Sequence, residues 1–163
     1  MTKPNFSPLL LVLLSLVLVV AAACAPVSRL APAAAPSAAT TPSNAITNIV
    51  WQWTSVANRV TGETTQVANP QAYTIIFRDD GTVSGQADCN TFTGTYSQEG
   101  GFFITATPDV MAACGGDSLD QQYFELLDAV AAGGPDGAGG LALETAGGEQ
   151  RMTFVNGGAA PVP

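Results

Sequence analysis

Thr91-Phe92-Thr93-Gly94-Thr95-Tyr96 alternates hydroxyl-bearing and apolar positions without a break. A period of two with one apolar face is the pattern of a β-strand that buries one side and wets the other. The chain around it repeats the theme in short runs separated by turn residues. Ile49-Val50-Trp51-Gln52-Trp53 reads as a first strand with both tryptophans on one face. Ala57 to Pro70 is polar and reads as a loop or a weak strand pair. Tyr73 to Phe77 and Thr82 to Ala87 flank Arg78-Asp79-Asp80-Gly81, whose Asp-Gly pair supplies the positive φ of a tight hairpin. Phe102 to Ala106 follows a Glu-Gly-Gly turn, and Leu141–Glu144 with Arg151–Val155 forms a last hairpin around Gly147-Gly148.

One stretch breaks this rhythm. Ser118-Leu119-Asp120-Gln121 has the form of a capping box. Leu119, Tyr123, Leu126, Leu127 and Val130 then recur at helical spacing, which predicts one amphipathic helix from Leu119 to Ala131. Gly133-Gly134-Pro135 is expected to stop it, and residues 157–163 are expected to fray.

The amino-terminal end has a different character. Lys3, an apolar run from Leu9 to Val20 and three alanines lead into Cys24. A basic start, a short apolar core and small residues before a cut site make residues 1–23 a secretory signal peptide. The apolar run is shorter than the roughly 20 residues that span a bilayer. A cysteine directly after such a cut resembles the lipid-attachment site of bacterial lipoproteins, which makes Cys24 the acylated first residue of the mature chain. Residues 24–45 are rich in alanine, proline, serine and threonine and read as a disordered, extended tether.

Charge narrows the choice of partners. The chain carries a formal charge of −8, and beyond the signal segment its basic residues are Arg29, Arg59, Arg78 and Arg151 alone. Such a surface repels phosphate backbones, which sets nucleic acid aside. It also offers no basic patch to anionic lipid, so membrane attachment rests on the acyl chains of Cys24.

Phe77-x-x-x-Gly81-Thr82-Val83-Ser84-Gly85-x-x-x-Cys89-Asn90-x-Phe92-x-Gly94-x-Tyr96 resembles the central motif of the META domain, the HslJ-like family. Met111-Ala112-Ala113-Cys114, followed by Ser118-Leu119-Asp120 and a helix, resembles its second block, and Trp53, Leu141-x-Leu143 and Phe154 fit its ends. The resemblance covers residues 46–156. It implies a mainly β fold, a small antiparallel β-barrel-like domain with one amphipathic helix packed against it. It also implies an exported or membrane-anchored setting, and it brings no common enzymatic activity.

The residues point the same way on chemistry. The sequence contains no histidine, which removes Ser-His-Asp and Cys-His catalysis and histidine metal sites. Cys89 and Cys114 are the cysteines left after Cys24, and an exported compartment permits a disulfide between them. The competing reading, a reactive Cys89, lacks an imidazole or lysine to activate the thiolate. Asp79, Asp80 and Asp88 miss the alternating ligand spacing of a calcium loop. The glycine-rich run 136–140 lacks the lysine of a phosphate loop. No metal or cofactor is expected. The aromatic residues are core by default, with Trp51 and Trp53 the candidates to line a ligand groove.

Three functions remain. The favoured one is a non-catalytic, monomeric, lipid-anchored cell-envelope domain that makes protein or envelope contacts in maintenance or stress. The alternative is a binding protein for a lipid or other small hydrophobic ligand in a cleft between barrel and helix. A hydrolase using acidic residues is the least favoured. The expected location is outside the cytoplasm, on the outer face of the cytoplasmic membrane or on the outer membrane.

Overall fold

A computed structural model of the chain describes residues 46–162. The expected signal peptide, Cys24 and the expected tether lie outside the described residues. Nine strands and one helix follow in the order β1 (Ile49–Asn58), β2 (Thr64–Gln66), β3 (Tyr73–Phe77), β4 (Thr82–Ala87), β5 (Asn90–Ser97), β6 (Phe103–Pro108), α1 (Asp120–Asp128), β7 (Val130–Pro135), β8 (Leu141–Thr145) and β9 (Gln150–Ala159). The strands form one antiparallel sheet in the order β6-β5-β4-β3-β1-β9-β8-β7, and β2 pairs with the far end of β1. The sheet curls until its ends meet. Phe102, just ahead of β6, donates its backbone N–H to Ala131 of β7 at 3.0 Å. The domain is therefore a curled, mainly β half-barrel carrying one helix.

Local chemistry explains the hairpins. Arg78 N–H bonds to Thr82 O at 2.9 Å, and Gly81 takes φ 83°. This is a three-residue loop closed by a left-handed glycine, so Gly81 alone supplies the positive φ. At the β4–β5 turn Asp88 takes φ 57°, a conformation that aspartate tolerates better than most side chains. Gly85 answers a different need. A Cβ there would collide with Thr74 O of β3 and the Phe92 ring, so glycine lets β3, β4 and β5 close over the core.

The helix differs from its expected form at both ends. Leu119 occupies the cap position, and Ser118 makes no side-chain capping bond to the third helical residue. The Ser118 hydroxyl accepts the Asp120 N–H at 3.2 Å, and the Tyr73 hydroxyl accepts the Leu119 N–H at 2.8 Å, so a core strand helps to cap the helix from outside its own sequence. At the other end the helix stops at Asp128, and Val130 opens β7 opposite Thr145. The run Gly133-Gly134-Pro135 is strand, not stop signal. Val130 prefers strand geometry, and pairing with β8 satisfies backbone groups that another helical turn would leave to water.

The carboxyl end corrects a second expectation. β9 runs past Asn156 to Ala159, which pairs with Ile49, and Ala160 N–H bonds to Asn48 O at 2.9 Å. Arg78 adds a bond from Nη2 to Pro161 O at 2.9 Å. Backbone pairing and one guanidinium thus order a segment with almost no side chains to pack. Ala57 to Pro70 resolves into the end of β1 and the short β2.

The core lies between the sheet and α1. Trp53, Tyr73, Tyr123, Phe92 and Phe154 meet there, with Trp53 and Tyr123 ring centres 5.1 Å apart. Leu126 and Leu127 complete the buried stripe of α1. Tyr123 is fully buried, and its hydroxyl has no hydrogen-bond partner among the described residues. Burial alone pushes this phenol well above its ordinary pKa. Because an unpaired buried hydroxyl costs stability, Tyr123→Phe is expected to leave the domain equally stable or to stabilise it by up to about 1 kcal/mol. A urea midpoint that falls by the equivalent of 1 kcal/mol or more would show that the hydroxyl has a partner.

Candidate functional site

The β4–β5 turn and the segment between β6 and α1 form one braced unit. The turn residues Asp88 and Cys89 leave Asn90 as the first residue of β5, on the inward parity of that strand. Asn90 is 2% exposed. Its Oδ1 accepts the Ala112 N–H at 2.8 Å, and its Nδ2 donates to Ala112 O at 3.1 Å. One carboxamide thus pairs with both backbone groups of Ala112, as a neighbouring strand would. Nδ2 also donates to Asp120 Oδ2 at 3.1 Å, which links the segment to the first turn of α1. Asparagine alone offers a donor and an acceptor side by side at this length.

The disulfide completes the brace. Cys89 is bonded to Cys114, with Cα atoms 5.7 Å apart, inside the usual range for a bridge. Disulfide sulfurs carry no thiolate, so the nucleophile reading of Cys89 has no chemical basis in this state. Between β6 and Cys114 the chain exposes two adjacent apolar side chains, Val110 and Met111, each 70% exposed. Asp109 fixes the near end of the segment by accepting the hydroxyls of Thr91 and Thr93 at 2.8 and 3.2 Å. An apolar tip is therefore held out on a rigid base.

The tryptophans lie elsewhere. Trp51 and Trp53 are 4% and 0% exposed. Their indole N–H groups are spent on Ile46 O and Ser55 O at 2.8 and 2.9 Å. The structure places both in the core, and the space between sheet and helix around them is filled by aromatic and leucine side chains. The surface concavities are open instead: the one over β4 and β5 is lined mostly by polar residues, and the one beside residues 111–116 mostly by small and apolar ones. Among the described residues no group of three or more histidine, cysteine, aspartate or glutamate side chains is arranged to hold a metal ion. No helix among them is long and apolar enough to cross a membrane. What this surface offers is hydrogen bonding and apolar contact.

The META domain family model matches residues 44–157. The chain belongs to the META domain family. Of the motif residues, Gly85 lets the sheet close, while Cys89 and Asn90 at the turn and Cys114 and Asp120 beyond it build the brace. Among solved structures, the fold is similar to that of a protein from Burkholderia xenovorans determined by NMR, with TM-score 0.53 at 20% identity over 68% of this chain and 82% of that one. A DUF4847 family protein from Bacteroides vulgatus, solved by crystallography, matches with TM-score 0.48 at 16% identity over 66% of this chain and 92% of that one. No curated protein matches the chain.

The motif contains Asn90 without disclosing its role. The signal was available. Asn90, Phe92, Gly94 and Tyr96 share one face of β5, and an amide on the apolar face of a strand must find partners when buried.

Proposed function

We propose that this META domain is a non-catalytic interaction module of the cell envelope, carried on an acylated Cys24. The observation that supports it most is the exposed Val110-Met111 tip on a segment fixed by Asn90, Asp109 and the Cys89–Cys114 bond. Apolar side chains held out on a rigid base lose little entropy on association. The disulfide suits an oxidising compartment, in keeping with the signal-like segment before Cys24. The filled core argues for recognition at the surface rather than enclosure of a lipid.

Mass spectrometry of the mature amino terminus and detergent partitioning test the anchor. The first residue is expected to be a diacylated Cys24, with the protein in the detergent phase. Cys24→Ser is expected to leave an uncleaved precursor or a released, water-soluble chain. An unmodified, uncleaved wild-type amino terminus in the membrane fraction would overturn the reading.

A further inference from the structure

β4, β5 and β6 present an outer face rich in hydroxyls, with Gln86 and Phe103 at its two ends. In register across the strands, Thr82 lies opposite Thr95 and Thr95 opposite Thr105, while Ser84 lies opposite Thr93 and Thr93 opposite Thr107. Two rows of three hydroxyls result, spaced about 4.8 Å across the strands and about 6.7 Å along them. An open concavity of about 780 Å³ lies over the β4–β5 part of this grid. Its wall is the β3–β4 turn together with Asn48.

The wall is already fixed in place. Asn48 holds a left-handed backbone at φ 59°, and its Nδ2 donates to Asp79 Oδ2 at 2.7 Å. Arg78 Nη1 donates to Asn48 Oδ1 at 3.3 Å. Asp80 accepts the Thr82 N–H and hydroxyl at 3.0 and 2.7 Å. Bonds from Thr47 and Asn48 to Asp79, and from Thr82 to Asp80, hold both carboxyls below their usual pKa, so they stay acceptors at neutral pH.

This chemistry narrows the ligand. Two carboxylates beside one guanidinium, on a chain of charge −8, disfavour an anion. The apolar surface of the floor comes from threonine methyls and backbone carbon, with no large apolar side chain exposed for a lipid tail to pack against. Both β4 and β5 are paired on each side, so no free strand edge exists for an extended peptide. Thr82 and Thr93 already donate to Asp80 and Asp109 and remain acceptors. Ser84 and Thr95 add hydroxyls that both donate and accept. The floor, ringed by fixed acceptors and a cation, therefore matches a partner whose groups also do both. The geometry points to a binding site for a neutral, polyhydroxylated chain, an oligosaccharide, over Thr82, Ser84, Thr93 and Thr95. This deepens the interaction-module reading and rests on it. The floor carries no aromatic ring for a sugar to stack on, so it grips by hydrogen bonds alone. A single site is then weak, and many anchored copies facing one polymer gain by avidity.

Backbone amide NMR of the full chain in phosphocholine micelles, which avoid sugar-headed detergent, tests the site. The probes are cellohexaose, chitohexaose and maltohexaose. At least one is expected to shift amides of residues 78–84 and 93–95 with Kd on the order of 1 mM, leaving those of α1 unmoved. Ser84→Val combined with Thr95→Val removes two outward hydroxyls, neither of which the brace uses, while favouring strand structure. This variant is expected to keep the other resonances in place and to weaken binding at least tenfold. Silence from all three saccharides, or equal binding by a folded valine variant, would overturn the inference. A null result with Cys24 still acylated overturns the saccharide site alone and leaves the anchored-module reading standing.

Discussion

Asn90→Ala is expected to lower the unfolding free energy by about 2–3 kcal/mol, read as a fall in the urea midpoint at unchanged slope. The figure follows from what one amide holds. Truncation frees the Ala112 N–H, the Ala112 carbonyl and the Asp120 carboxylate together. Ala112 is itself exposed, so water recovers part of the loss, and this keeps the estimate below that of three buried orphans. Asn90→Asp separates geometry from charge. A carboxylate there would face the Ala112 carbonyl and Asp120, so its folded-state pKa rises above the unfolded value. Stability lost at neutral pH is then recovered as pH falls below that raised pKa, because the protonated acid regains a donor. Asn90→Ala has no such pH response. Equal midpoints for wild type and Asn90→Ala would mean that the segment is held by the disulfide alone.

The same amide shows what a sequence discloses and what it withholds. Period-two patterning placed β3, β4, β5 and the last hairpin, because alternation reports directly which side chains a half-buried sheet takes in. The stripe through Tyr123, Leu126 and Leu127 placed α1 for the same reason. The misreadings fall where a distant element decides. Tyr73 caps α1 across a separation of 46 residues, and no local motif encodes that bond. Val130 continues the helical stripe yet opens a strand, since β8 offers pairing that the stripe does not reveal. β9 outlasts its own side chains because Asn48 and Arg78 hold its backbone. The hydroxyl grid was half legible: the alternating threonines of β5 are plain, but their rows exist only through register with β4 and β6. Alternation places Trp51 and Trp53 on one face, and the sheet turns that face inward.

Breaking the Cys89–Cys114 bond is expected to cost about 3.5 kcal/mol, by the chain-entropy estimate for a closed loop of this size. The two cysteines are 25 residues apart, and the loop between them contains β5, β6 and the Val110-Met111 tip. In a domain whose stability is typically about 5–15 kcal/mol, such a loss lowers the melting temperature by more than about 10 °C. Cys89 is exposed, so a small dithiol reaches the bond without prior unfolding. Thiol titration is expected to find none free in the native domain and two after reduction. Free thiols at both positions in material isolated under oxidising conditions would refute the bond. The decisive comparison joins the two braces. Asn90 and the disulfide hold the same segment two residues apart, at Ala112 and at Cys114. Once either is removed the segment gains freedom that the other no longer restrains fully. Cys89→Ser with Cys114→Ser, combined with Asn90→Ala, is therefore expected to cost less than the sum of the separate losses by about 1 kcal/mol. Strict additivity would mean that the two act on independent parts of the chain, and the tip would then lack the rigid base on which its proposed role depends.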